Sequence, residues 1–218
     1  MVVAPGRPLR YAITHLDSSI SDAPDDHTLR LRKQLQRWAV DNVDIVQLRE
    51  KSLPAGRLLA LAQAARATLD ELAVLPNISQ PPRLLVNGRA DIALAAGADG
   101  VHLPAHPGAL GPAQVRALFY RAGRPDCLVS VSCHTVDEVE AARDAGADLI
   151  LFGPVFEKRV DGERVVEGRG QQALRHACLT AQPVPVLALG GVSADRIASC
   201  LRAGAAGVAG IRLYGQVP

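Results

Sequence analysis

Ala96-Gly97-Ala98-Asp99-Gly100-Val101, Ala145-Gly146-Ala147-Asp148-Leu149-Ile150 and Ala203-Gly204-Ala205-Ala206-Gly207-Val208 are three versions of one pattern. In each, a helical stretch runs into a glycine suited to the left-handed C′ position, a tight turn follows, and an apolar strand begins. A helix-to-strand joint repeated along a chain is what a parallel sheet covered by crossover helices requires.

Working outward from these joints, short β-branched runs alternate with alanine- and leucine-rich stretches of helical period. Strands are expected at 10–14, 44–49, 83–87, 100–103, 128–132, 149–152, 186–189 and 207–211, with helices at 28–40, 54–72, 89–96, 112–121, 136–145, 171–181 and 194–203. Eight strands with seven helices give an α/β chain, a TIM (β/α)8 barrel read as a single domain over residues 1–218. Its last outer helix is missing or truncated, which leaves the seam to an N-terminal segment or to a second subunit of a homo-oligomer. Barrel active sites lie at the C-terminal ends of the strands. The repeat itself is therefore structural, and the chemistry is expected after each strand.

Composition narrows the partners. With 218 residues, 48% of them hydrophobic, the chain can bury on the order of 70% of its unfolded surface. Lys+Arg 24 against Asp+Glu 22 leaves +2, and no basic run accompanies an aromatic ladder, so nucleic acid is not expected as a partner. Cys127, Cys133, Cys178 and Cys200 lie in apolar segments without C-x-x-C spacing, as buried thiols of a reducing compartment do. Neither an apolar leader nor a run of ~20 apolar residues is present, so the expectation is a cytoplasmic protein with no membrane partner.

Four places carry candidate chemistry. In Gln47-Leu48-Arg49-Glu50-Lys51, alternation puts Ile45, Gln47 and Arg49 on one face, so polar groups point into the barrel mouth. Two cations this close suit a polyanionic ligand; the alternative is a salt bridge from Arg49 or Lys51 to a carboxylate such as Glu50. The fifth strand ends Ser130-Val131-Ser132-Cys133-His134, with both serines inward and His134 at the rim. A rim histidine can move a proton near neutral pH, or can cap the following helix through Thr135 to Glu138. Gly190-Gly191 follows the seventh strand, and Gly207, Gly210 and Ile211 lie in and after the eighth. Loops after those two strands are where barrels hold phosphate, although turn glycines would look the same. Lastly, His102 and His106 flank Pro104 and so are not expected to form a zinc site. Cys133 and His134 are strand neighbours that point apart, which makes Cys133 a packed thiol.

In this order the motifs resemble the thiamine phosphate synthase and TenI superfamily, from Tyr11-Ala12-Ile13-Thr14 to Ile211. Val46-Gln47-Leu48-Arg49-Glu50-Lys51 is similar to the family's second-strand signature, and Leu85-Val86-Asn87-Gly88-Arg89-Ala90-Asp91-Ile92-Ala93 to its third. Gly97 to Leu103, Ser132-Cys133-His134, Gly153-Pro154-Val155-Phe156 and Ala188-Leu189-Gly190-Gly191-Val192 follow in family order. The resemblance implies a thiamine-biosynthesis enzyme with a small phosphorylated substrate. A synthase would hold pyrimidine pyrophosphate on Arg49, Lys51 and Asn87 and thiazole phosphate on the last two loops.

The departures shape the expected reaction. The family's Mg²⁺-binding aspartate after the third-strand asparagine is Gly88 here, and the second is lost within Pro104-Ala105-His106-Pro107. Its threonine-rich loop is replaced by Glu157 to Arg164, where Lys158 or Arg159 could substitute as an anion clamp, and residues 157–168, long, charged and glycine-containing, read as a mobile lid. Without hard oxygen ligands no metal is expected; Mg²⁺ enters only if the chain is a synthase. The first expectation is therefore a TenI-like tautomerase in which His134 moves the proton of a thiazole phosphate. The alternatives are thiamine phosphate synthase and a non-catalytic phosphate-ligand sensor.

Overall fold

A computed structural model describes residues 6–16, 24–106, 108–160 and 163–214. The strands are β1 (Leu9–Ile13), β2 (Ile45–Leu48), β3 (Arg83–Asn87), β4 (Gly100–Leu103), β5 (Leu128–Cys133), β6 (Leu149–Phe152), β7 (Lys158–Val160), β8 (Glu163–Val166), β9 (Val186–Leu189) and β10 (Gly207–Gly210). The α-helices are α1 (Pro24–Val40), α2 (Ala55–Ala73), α3 (Ala90–Ala95), α4 (Pro112–Arg121), α5 (Val136–Asp144), α6 (Gly170–Thr180) and α7 (Ile197–Arg202). Eight strands close in the order β1-β10-β9-β6-β5-β4-β3-β2, every neighbour parallel, while β7 and β8 form a separate antiparallel hairpin. The TIM barrel expected from the repeat is present. Among the described residues no outer helix follows β10.

Two shells of apolar side chains hold the barrel. Leu9, Tyr11, Ile13, Ile45, Leu85, Leu128, Leu149, Leu151, Leu187 and Ala209 fill the interior. The alternate residues, such as Val46, Val86, Val129, Ile150 and Val208, face outward under the helices. Leu58, Leu61, Ala62, Ala65, Leu69 and Leu72 form the buried stripe of α2. Each such leucine contributes roughly 1.5–3 kcal/mol, so the stripe rather than helix propensity fixes this element.

The repeat also has a hydrogen-bonding role that its spelling does not reveal. Asp99 accepts the N–H of Leu84 at 2.7 Å and Asp148 that of Val129 at 2.7 Å, each reaching back one strand. Asp44, which precedes β2, does the same for Arg10 at 2.7 Å. Every one of these carboxylates is matched by an arginine: Arg66 to Asp99 at 2.9 Å, Arg116 to Asp148 at 2.7 Å and Arg7 to Asp44 at 2.7 Å. The third copy of the repeat has Ala206 in this place and no such clamp.

At the seam, Trp38 of α1 is buried and donates through Nε1 to the carbonyl of Tyr214 at 3.1 Å, and the Tyr214 hydroxyl donates to the Val208 carbonyl at 3.0 Å. The turn after β10 thus packs where an outer helix would otherwise lie. Within the expected lid segment, β7 and β8 pair as antiparallel strands. Lys158 pairs with Val166 and Val160 with Glu163, because β-branched Val160, Val165 and Val166 favour extended backbone.

Candidate active site at the barrel mouth

Side chains from the C-terminal ends of β1 to β5 converge on a polar network that is almost wholly buried. The Tyr11 hydroxyl donates to Gln47 Oε1 at 3.1 Å, and Gln47 Nε2 donates to Asn87 Oδ1 at 2.9 Å. Tyr11 also lies 3.2 Å from Ser130 Oγ and 3.4 Å from His102 Nδ1. His102 spans the two serines, with Nδ1 2.8 Å from Ser130 Oγ and Nε2 2.9 Å from Ser132 Oγ. Burial pushes the imidazole down to about 3, with the Arg49 charge acting in the same direction, so His102 is neutral throughout the physiological range. The expected inward set of Gln47, Asn87 and Ser132 is therefore brought together. Tyr11 and His102 were not expected there. Alternation from Ser130 and Ser132 through the β4–β5 register would have placed His102 inside.

Two cations follow β2, and the charge of Arg49 reaches His102. Arg49 is half-buried and its backbone N–H donates to Thr14 Oγ1 at 2.9 Å, while Lys51 is exposed. Glu50 does not neutralise them as the salt-bridge alternative required. Its carboxylate accepts from the Thr14 hydroxyl at 2.5 Å and from the Leu16 N–H at 3.1 Å. Burial raises its pKa, partly offset by those bonds. Among the described residues neither Arg49 nor Lys51 forms an ion pair. Lys158 opens β7, and its side chain lies outside the described residues.

The glycines divide. Gly190 and Gly191 have φ of +88° and +64°, values that favour glycine. A Cβ on Gly191 would lie 2.8 Å from Phe156 Cβ and 2.9 Å from the Glu157 carbonyl. The Phe156 N–H donates to the Gly190 carbonyl at 3.0 Å, and Arg196 both donates to the Gly191 carbonyl at 2.9 Å and lies 4.7 Å above the Phe156 ring. The hairpin base and the glycine loop are thus one packed unit. Among the described residues, neither N–H of this pair nor that of Ile211 is taken by a backbone carbonyl, which leaves them to meet an anion. Gly210 and Ile211 close the same end of β10. Gly207 does not belong with them: it opens β10 at the opposite end of the barrel, where a Cβ would lie 2.1 Å from the Leu9 carbonyl oxygen. Its glycine serves strand packing.

His134 is exposed at the rim, as expected, and Nδ1 contacts the Gly153 carbonyl at 2.5 Å. A carbonyl can only accept, so Nδ1 carries the proton and Nε2 is left with its lone pair. The cap of α5 is made by others: the Glu138 N–H donates to Thr135 Oγ1 at 3.2 Å and Glu138 returns to the His134 and Thr135 N–H groups. Cys133 is buried against the Glu138 carbonyl, a packed thiol whose pKa burial raises to about 12.

The Mg²⁺ that the family resemblance implies does not fit these residues. Gly88 offers no side chain, and a Cβ built there would meet only the Pro104 ring at 3.7 Å. His106 turns its Nδ1 to the Gly108 N–H, and Pro107 lies outside the described residues. Among the described residues no three His, Cys, Asp or Glu side chains gather where they could hold a metal ion. His102 turns to Ser130 and Ser132 whereas His106 turns to Gly108, so the two rings serve different partners.

The mouth of this TIM barrel combines inward amides and hydroxyls, two cations without an ion pair among the described residues, and a glycine loop. The family model for thiamine monophosphate synthase matches residues 18–213, and the chain belongs to that family. It is 47% identical over 171 residues to a putative thiamine-phosphate synthase of Geobacter sulfurreducens, covering 77% of this chain and 71% of the relative. It is 34% identical over 180 residues to putative thiamine-phosphate synthase 2 of Aquifex aeolicus, covering 83% and 87%. In fold it matches thiamine phosphate pyrophosphorylase from Pyrococcus furiosus, with TM-score 0.68 and 24% identity over 93% of this chain and 85% of that one. No described helix is long and apolar enough to cross a membrane.

Proposed function

We propose that the chain is a thiamine-phosphate synthase, a transferase that joins a pyrimidine pyrophosphate to a thiazole phosphate. The relatives of this length bear that name, and this shifts the balance from the tautomerase that the missing aspartates first favoured. The observation that supports the reading is the Gln47, Asn87 and Ser132 network at the strand ends, with Arg49 and Lys51 following β2 and forming no ion pair among the described residues.

In the joining step a C–N bond forms to the thiazole nitrogen while the C–O bond to pyrophosphate breaks. Negative charge grows on the departing group, and the half-buried Arg49 would stabilise it with less screening than the exposed Lys51, which would add to it from the rim. Lys158 is placed by sequence to add a third cation from the hairpin. Gly190, Gly191, Gly210 and Ile211 hold the thiazole phosphate through backbone N–H groups. The hairpin base packed on that loop would respond to its occupancy, which is how the 157–168 segment acts as a lid. Mg²⁺ would add charge neutralisation at the pyrophosphate, but no step here is assigned to it.

The second reading, a thiazole phosphate tautomerase, is favoured by one observation: His134 has its Nε2 lone pair free at the rim, as a proton carrier needs. Supplying both substrates and following thiamine phosphate by chromatography separates the two. Product formation supports the synthase. Isomerised thiazole phosphate without coupled product supports the tautomerase, and binding without turnover supports a sensor.

A further inference from the structure

The buried network in the barrel has a direction. Tyr11 has one hydroxyl proton and gives it to Gln47 Oε1, and Gln47 in turn gives an amide proton to Asn87 Oδ1. The Tyr11 oxygen is fully buried and can then only accept, and Ser130 at 3.2 Å is its nearest donor. If Ser130 spends its proton there, the 2.8 Å contact to His102 must be filled by Nδ1–H. Nε2 is then an acceptor, and the proton of the 2.9 Å contact comes from Ser132. This is the arrangement in which every contact holds one proton and all donors run the same way, so that each bond polarises the next. The opposite tautomer sends the Ser130 proton to Nδ1 and deprives the Tyr11 oxygen of its nearest donor.

We propose that the chain Ser132–His102–Ser130–Tyr11–Gln47–Asn87 is a one-way hydrogen-bond wire. It makes His102 and Tyr11 positioning residues that set ligand specificity: Ser132 faces the mouth as an acceptor and Asn87 faces it as a donor. A ligand must bring an N–H or O–H to Ser132 and an oxygen or ring nitrogen to Asn87. This rests on the mouth being the substrate site, and it goes beyond the choice of reaction. The neutral state of His102 supports it, because a charged imidazole would donate at both ends and reverse the Ser132 bond.

The test has a part that needs no ligand. In protein labelled with ¹⁵N-histidine, long-range ¹⁵N–¹H spectra should show His102 with protonated Nδ1 and pyridine-like Nε2, unchanged from about pH 5 to 8; loss of the signal in His102→Asn assigns it. Tyr11→Phe removes the acceptor for Ser130 without touching Ser132, and should flip the ring to Nε2–H. A wild-type ring already in the Nε2–H form, or one unmoved by Tyr11→Phe, overturns the wire. The second part measures binding of a pyrimidine pyrophosphate bearing an exocyclic amine and of its analogue lacking the amine. Wild type should prefer the amine by at least about tenfold, and Tyr11→Phe should lose that preference while melting as a folded protein. Equal affinity of wild type for both overturns the specificity claim. Failure of wild type to bind either one removes the substrate reading instead, and the tautomer result still decides the wire.

Discussion

Gly191→Ala adds a single methyl group at the point where the glycine loop meets the hairpin base. That carbon would enter a backbone at φ +64°, 2.8 Å from both Phe156 Cβ and the Phe156 carbonyl. A left-handed backbone with a Cβ costs roughly 1–2 kcal/mol, and relieving such an overlap in packed surroundings about 1–3 kcal/mol. A loss near ~3 kcal/mol lowers the melting temperature by about 6–12 °C in a chain of this size. The same displacement moves the Gly190 and Gly191 N–H groups away from a phosphate. Losing one hydrogen bond to a charged group is worth about 1.5–3 kcal/mol, or roughly 10- to 100-fold in affinity. Calorimetric titration with a thiazole phosphate, alongside thermal melts, reads both effects. Gly207→Ala is the control, because its Cβ would strike the Leu9 carbonyl at 2.1 Å, at the far end of the barrel. It should destabilise the fold and leave the affinity of the folded protein unchanged. The reasoning is refuted if Gly191→Ala binds and melts like wild type, or if the two substitutions weaken binding equally.

Three more outcomes are expected. Removing divalent ions with a chelator should leave thiamine phosphate formation within a few-fold, since Gly88 and the described residues around it supply no carboxylate cluster; a steep loss would show that another group holds the ion. His134→Asn should lower thiamine phosphate formation by less than the ~10²-fold floor of general acid–base catalysis, because joining the two rings displaces pyrophosphate without a proton transfer at the rim, whereas a larger fall with unchanged melting would restore the tautomerase. His102 is held at about 3, below the ordinary histidine value, so the unfolded chain takes up a proton first. Stability contributed by this site is full above ~6.5 and is lost as pH falls toward 3; melts of wild type against His102→Gln should converge or cross in that window, and parallel curves would contradict the buried neutral ring.

The barrel was readable because its period is repeated and redundant. Each Ala-Gly-Ala joint predicts the same local event, and strands at 83–87, 100–103, 149–152 and 186–189 fall where alternation puts them. Side chains of the buried network were readable where parity settles direction, as for Gln47, Ser130 and Ser132. They were missed where a second strand's register was needed, as for His102 beside Ser130 and Tyr11 beside Gln47. Gly207 shows the converse error: a glycine adjacent to the right loop in sequence lies at the wrong end of a four-residue strand, serving contact with Leu9. The 157–168 segment looked like open loop because its three valines are set among charged residues with no alternation, and only the pairing of β7 with β8 makes it a hairpin.

The three aspartates that clamp neighbouring strands have an effect at long range. Each is matched by an arginine within 3 Å, so the closed end of the barrel presents opposite charges that cancel pairwise. At the other end Arg49 and Lys51 form no such pair among the described residues. Field lines from an open mouth with low-dielectric walls are concentrated outward. On the synthase reading, a polyanionic substrate would be drawn toward that end before contact, and its encounter rate should fall as salt shortens the ~8 Å screening length of physiological solution.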